Sequence, residues 1–214
     1  MTTPIKIDFV SDVSCPWCVI GLKSLHQALG RLEGEVSADI HFQPFELNQN
    51  MPKEGQDIGE HIAEKYGSTP EQMAESRERI RQRGADLGFT FDMDQRGRIY
   101  NTFDAHRLLH WAEHEGHQEA LKMALFGAYF TDGEDPSSHD VLVRAAVAAG
   151  LDGDGAARVL TSGEYAAEVR ERERFYQNAG INSVPAIIIN DRHLISGGQP
   201  PEVFEQALRQ IIAG

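Results

Sequence analysis

Apolar and polar residues alternate through Ile5, Ile7 and Phe9, the two-residue period of a strand, and this run leads directly into Cys15-Pro16-Trp17-Cys18. Beyond Pro16 the period lengthens. Leu22, Leu25, Leu29 and Leu32 recur at helical spacing, so the cysteine motif opens an amphipathic helix that ends near Gly34. Val36, Ala38, Ile40 and Phe42 then alternate with Ser37, Asp39, His41 and Gln43, which predicts a second strand and with it a βαβ start.

From about Pro52 to Gly180 nearly every periodic stretch reads as helix: Gln56 to Tyr66, Pro70 to Leu87, Asn101 to Glu115, Gln118 to Phe130, His139 to Ala149 and Glu164 to Ala179. Breakers such as Asp132-Gly133 and Asp135-Pro136 separate them. The β pattern returns in Ala186-Ile187-Ile188-Ile189, turns at Asn190-Asp191, continues from His193 to Ser196 and closes at Gly197-Gly198. Pro200-Pro201 starts a last helix with Val203, Phe204, Ala207, Leu208 and Ile211 on one face. The expected architecture is α/β, with residues 1–51 and 180–214 forming one discontinuous domain around an all-helical subdomain of residues 52–179. No Gly-Ser linker separates the parts, so they should pack against each other.

With 41% hydrophobic and 25% charged residues, a 214-residue chain has the means to build a core of this size. Its net charge of −13 weighs against nucleic acid or an anionic membrane as partner. No apolar run approaches the ~18 residues of a membrane span, and Met1-Thr2-Thr3-Pro4 passes into the first strand without a leader pattern, so a cytoplasmic protein is expected. Only two cysteines occur, three apart. In a reducing compartment such a pair is rarely a structural staple, and a four-ligand zinc site would need a second Cys or His pair.

A cysteine at a strand-to-helix junction meets backbone N–H groups that have no partner inside the helix. With Pro16 at the first helical position, Cys15 falls at or near the N-cap, where Trp17 and Cys18 N–H groups can stabilise its thiolate. Motifs of this kind lower a cysteine pKa from about 8.5 into the range of roughly 3.5–7.5. Cys15 is therefore the expected nucleophile and Cys18, one turn inward, the resolving thiol. Pro16 stiffens the turn, and Trp17 offers an apolar face to a substrate chain. Far along the chain, Ser183-Val184-Pro185-Ala186 puts a proline at the entry of a buried strand, an awkward place without a special role. Alone it fits a trans proline on an edge strand as well. Beside a redox pair it fits a cis peptide at Val184-Pro185, which would leave the Val184 backbone free to pair with an extended substrate next to Cys15.

These residues, with Pro44-Phe45-Glu46-Leu47-Asn48, Asn101-Thr102-Phe103-Asp104-Ala105-His106 and Ser196-Gly197-Gly198-Gln199-Pro200, resemble the DsbA-like thioredoxins with a helical insert, in the FrnE-like branch. That branch is related to 2-hydroxychromene-2-carboxylate isomerases and kappa-class glutathione transferases. The resemblance implies a thioredoxin-like fold interrupted by an all-helical insertion subdomain, with a cis-proline facing the redox pair. It also implies that Phe45, Asn48, Asn101 and His106 lie by a substrate groove between the two parts. The isomerases and transferases carry Ser where this chain has Cys15 and use it to hold glutathione thiolate; Cys15 can attack a disulfide itself.

Other patterns point elsewhere. His106, His110 and His114 share a helix face, but the His-Glu-x-x-His pattern is absent, so a polar face is expected and no metal. Asp152-Gly153-Asp154-Gly155 has the outline of a calcium loop, yet Ala156 and the missing closing Glu favour a turn and helix cap. Asp12 reads equally as a turn residue or as a polar group tuning the cysteines. The Arg77 to Arg83 run reads as a solvated face with intrahelical pairs.

The expected activity is thiol–disulfide exchange with a protein or small-molecule substrate and no cofactor, with glutathione as a candidate co-substrate. A glutathione-dependent isomerase or transferase of a small electrophilic or aromatic substrate is the alternative. A non-catalytic, redox-switched binding or chaperone-like protein is a third. The family association leaves room for a homodimer.

Overall fold

The computed structural model describes residues 2–214. Strand β1 (Thr3–Ser11) passes through Cys15 into helix α1 (Pro16–Arg31), and β2 (Val36–Pro44) returns parallel to β1, pairing Ile7 with Ile40 and Phe9 with Phe42. The next segments are β3 (Gln56–Asp57), α2 (Ile58–Tyr66), α3 (Pro70–Asp86), β4 (Arg98–Ile99), α4 (Phe103–His114), α5 (Gln118–Phe130), α6 (His139–Ala148), α7 (Gly153–Ser162) and α8 (Ala166–Asn178). Strands β5 (Ala186–Ile189) and β6 (His193–Ser196) and helix α9 (Pro201–Ile212) complete the chain. The main sheet has the order β2-β1-β5-β6, with β5 antiparallel to β1.

β1 lies inside the sheet, and its second half, Ile7 to Ser11, is buried throughout, the polar Asp8 and Ser11 included. Ile5, Ile7 and Phe9 join Leu22 and Leu25 of α1 and Phe204 and Leu208 of α9 in one core, while Val10 on the other face packs with Phe45, Tyr176 of α8 and Ala186. The β5–β6 turn places Asn190 and Asp191 at φ 52° and 54°, the left-handed pair a tight hairpin requires and which Asn and Asp tolerate.

The helices between β2 and β5 build a second core from Leu108 and Trp111 of α4, Leu121 and Leu125 of α5, Leu142 of α6 and Val159 of α7. Val13, two residues before Cys15, is fully buried in that core, worth about 1.5–3 kcal/mol for its side chain. α5 serves both cores, since Phe126, Tyr129 and Phe130 belong to the same cluster as Cys15 and Cys18.

The segment expected to be all-helical departs from that expectation at β3. Gln56 and Asp57 pair antiparallel with Ile99 and Arg98, and Asp57 then caps α2 by accepting from the Gly59 and Glu60 N–H groups at 2.8 and 3.0 Å. Asp152 does act as a cap, accepting from Gly155 N–H at 2.8 Å, and the helix it starts, α7, was not among those expected. Its opening Gly-Asp-Gly hides the pattern. Gly155 is small because a Cβ there would stand 3.0 Å from the Trp111 ring. Among the described residues no helix is long and apolar enough to cross a membrane.

Candidate active site

Cys15 is the N-cap of α1, in extended conformation (φ −96°, ψ 112°), with Pro16 in the first turn. Its N–H donates to Asp12 O at 3.2 Å, and Cys18 N–H donates to Cys15 O at 3.1 Å, so the motif is a tight turn wound straight into the helix. Both cysteines are free thiols; Cys15 is 4% exposed and Cys18 fully buried. The Cys15 Sγ lies 3.7 Å from Val184 O, in the segment that leads into β5. The Val184–Pro185 peptide is cis. Pro185 is buried against α1 so closely that a Cβ on Gly21 would come within 3.0 Å of its ring. Pro185 O in turn accepts from Gly197 N–H at 2.8 Å, which carries the Gly197-Gly198 loop to the motif.

The Cys15 thiol is held below its ordinary value, first by the Cys18 thiol beside it and then by the Cys18 and Trp17 N–H groups, against the opposing effects of burial and the Asp12 charge. Cys18 goes the other way: burial and the neighbouring Cys15 push it well above the usual thiol range. Two like groups are thus pushed in opposite directions, Cys15 toward the thiolate and Cys18 toward the protonated thiol.

Asp12 is the hub beneath them. Its carboxylate accepts from Leu47 N–H at 2.8 Å and Ser14 N–H at 3.2 Å, and its Oδ1 stands 3.5 Å from His106 Nε2. Burial alone would push this carboxyl up; the His106 imidazole and the two N–H donors outweigh it and hold Asp12 low. Turn residue and tuning group are therefore the same residue. Arg96 supports the motif from the helical side, donating to Ser14 O at 3.3 Å while its guanidinium lies 4.7 Å from the Tyr129 ring centre.

The remaining residues singled out from the sequence lie in two shells. Pro16, Trp17 and Val184 are half-buried, and Pro185 is buried with its ring against Gly21 of α1. Phe45 is 8% exposed and packs in the cluster that Val184 borders, so it backs the cis-proline segment from behind. His106, 3% exposed, reaches the cysteines through Asp12. Asn48 accepts from Lys65 Nζ at 2.7 Å, and Asn101 Oδ1 accepts from Phe103 N–H at 2.9 Å, starting α4. His110 and His114 stack on each other and on Tyr165 with ring centres 5.2–5.8 Å apart.

Sequence reasoning missed three contributors. Arg83, expected on a solvated face, donates to Gly198 O at 3.1 Å and lies over Trp17 at 5.9 Å. Gly198 itself has no room for a side chain, since a Cβ would stand 2.9 Å from Trp17 O. Lys122 is 1% exposed in α5, its Nζ 5.1 Å from the Phe126 ring centre; the signal was a lysine inside the apolar run Ala120 to Phe130.

Comparison with known proteins adds four findings. The family model of the DSBA-like thioredoxin domain matches residues 6–209. The chain superimposes with a TM-score of 0.90 and 33% identity on the probable DsbA oxidoreductase SCO1869 from Streptomyces coelicolor, covering 96% of this chain and 89% of that one. It is 26% identical to the uncharacterized protein YwbO of Bacillus subtilis over 97% of its own length and 96% of the other's. At the level of fold it also resembles the cytosolic disulfide reductase DsbM from Pseudomonas aeruginosa, solved with GSH, with a TM-score of 0.68, 19% identity and coverage of 98% and 100%.

Proposed function

Because this chain belongs to the DSBA-like thioredoxin family, whose thiol–disulfide oxidoreductase chemistry matches its site, we propose that it exchanges disulfides of protein or small-molecule substrates through Cys15 and Cys18. The Cys15 thiolate attacks one sulfur of a substrate disulfide. That S–S bond breaks, a Cys15 mixed disulfide forms, and the departing sulfur leaves as a thiolate that takes a proton from water. Cys18, once deprotonated, attacks the Cys15 sulfur and expels the second substrate thiol. The substrate gains two electrons and the enzyme is left with a Cys15–Cys18 disulfide; the reverse sequence oxidises a dithiol.

What supports this reading most is the placement of Cys15 at a helix N-cap, 3.7 Å from the Val184 carbonyl, with its pKa lowered while that of Cys18 is raised. An extended substrate can lie along the Val184 backbone with its sulfur at Cys15. The test is insulin reduction with a dithiol donor. Cys15→Ser should abolish it, and Cys18→Ala should accumulate a mixed disulfide detectable by mass; full activity in Cys15→Ser would overturn the proposal.

Glutathione is the second reading, as a co-substrate at the same groove. It is favoured by the cations near the motif, Arg83 over Trp17 and Lys65 at Asn48, which suit a small peptide with two carboxylates. Titration calorimetry of Cys18→Ala with glutathione should give saturable heat, and a flat titration eliminates this role. A cytoplasmic place of work belongs to the same proposal, and alkylation trapping of the pair in intact cells should find it reduced.

A further inference from the structure

Resting on the thiol-exchange reading, we infer that Glu46, Glu173 and Arg170 form a proton-sharing clamp that holds the Leu47 N–H on Asp12, and so act as positioning residues for Cys15. Glu46 follows β2 by two residues, and Arg170 and Glu173 lie on α8. Both carboxylates accept from one nitrogen, Arg170 Nη1, Glu173 at 2.7 Å. Their side chains are 0% and 1% exposed, so water relieves neither charge. Each has a second oxygen, Glu46 Oε2 and Glu173 Oε1, buried without a hydrogen-bond partner among the described residues. Two buried carboxylates on one guanidinium are one positive charge short. A single proton on one of the orphaned oxygens removes the excess charge and gives the other oxygen a donor. Burial and the Glu173 carboxylate, which repels a charge on Glu46 and accepts its proton, push the Glu46 carboxyl up to about 8.

The other elements packed here bring no further free charge. α4 lays the Phe103 ring against the Arg170 guanidinium at 3.8 Å, and α2 brings Lys65, whose Nζ is engaged with Leu47 O and Asn48 Oδ1 at 2.7 Å each. The residue after Glu46 carries the consequence. Leu47 donates its N–H to Asp12 Oδ2 at 2.8 Å, Ser14 N–H donates to Asp12 Oδ1 at 3.2 Å, and the Asp12 carbonyl accepts from Cys15 N–H at 3.2 Å. One peptide bond thus separates the clamp from a residue whose charge opposes the Cys15 thiolate. While the proton is held, the exit of β2 is pinned to α8 and the Leu47 N–H offsets part of the Asp12 charge. Once the proton passes to water, two carboxylates compete for one guanidinium and the Glu46–Leu47 segment is pushed away from α8. Asp12 then bears on Cys15 with one donor fewer, and the thiolate is less favoured.

The test is the pH profile of Cys15 alkylation by iodoacetamide, read by mass on the full chain carrying Cys18→Ala. With Glu46 intact, the rate should follow one thiol titration and then fall several-fold short of it as pH passes about 8. Glu46→Gln puts a fixed N–H where the shared proton stood, so its rate should follow one titration throughout and exceed the parent's above that point. Glu46→Ala removes the clamp and should alkylate several-fold more slowly than Glu46→Gln wherever Cys15 is a thiolate. Rescue by glutamine and not by alanine separates a positioning role from a general loss of structure. A Glu46→Gln profile that coincides with the parent's overturns the clamp, whatever Glu46→Ala does. A Cys15 that resists alkylation at every pH in the parent sinks the exchange chemistry instead. Where the variants do not fold, carbon-13 NMR of labelled glutamate in the parent decides. One carboxyl of the pair should titrate near 8, and both titrating in the ordinary carboxylate range overturns the proposal.

Discussion

Asp12 and His106, from the end of β1 and the first turn of α4, face each other at 3.5 Å with side chains 1% and 2% exposed, joining the cysteine motif to the helical segment. Asp12 is held low in the folded state, so its contribution to stability is full above the ordinary carboxylate value and is lost as pH falls through the depressed one. Its charge also opposes the thiolate at Cys15. Asp12→Asn should therefore shift Cys15 alkylation to lower pH while costing about 1–3 kcal/mol of stability at neutral pH. A pH profile of iodoacetamide labelling that stays in place would contradict the assigned electrostatics.

Glu46 predicts the opposite pH behaviour. Its side chain is fully buried, shares Arg170 with Glu173, and has its carboxyl pushed up to about 8 by burial and by the Glu173 charge. Between the ordinary 4.5 and that value the native state keeps a proton the unfolded chain has released, so stability falls as pH rises through this window. Glu46→Gln should flatten that slope and gain on the order of 2 kcal/mol over the parent at pH 8 relative to pH 5. Urea melts at the two pH values measure it.

Gly198 tests the packing of the loop on the motif. A methyl group there would press on Trp17 O at 2.9 Å, a backbone atom that cannot swing aside. Gly198→Ala should cost about 1–3 kcal/mol and slow insulin reduction, whereas Gly30→Ala, where a Cβ meets nothing, should be neutral or slightly stabilising. Equal melting temperatures for the two variants would argue against a close approach.

Arg83 reaches from α3 to the Gly198 carbonyl and lies over the Trp17 ring. Arg83→Met should alter Trp17 fluorescence and raise KM for a peptide disulfide several-fold with little change in kcat, as expected when a contact is made equally in the ground and transition states. A fall in kcat at unchanged KM would place Arg83 in the chemistry instead.

What could be read in the sequence was whatever a local pattern specifies. Alternation in β1 and β2, the apolar stripe of α1 and the proline-led start of α9 depend on near neighbours, and each lies within two residues of where it was expected at the ends that define the site. Cys15 at a strand-to-helix junction belongs to the same class. Local pattern could not reveal pairings between distant segments. The β3–β4 ribbon joins residues about forty apart, and Gln56-Asp57 in isolation looks like the start of a helix. Arg83 looked solvated because its helix carries many charges; only the docking of α3 on Trp17 turns one of them inward. Asp12 was undecided because both of its roles require Leu47 and His106, which no spacing rule connects to it.

α5 contributes to both cores, and the consequence concerns how such a protein can change over time. Phe126, Tyr129 and Phe130 form part of the floor under Cys15 and Cys18, while Leu121 and Leu125 on the same helix anchor the neighbouring helices. The segment between β2 and β5 is therefore no removable ornament. A chain trimmed back to its sheet would lose part of the ground on which its two cysteines stand.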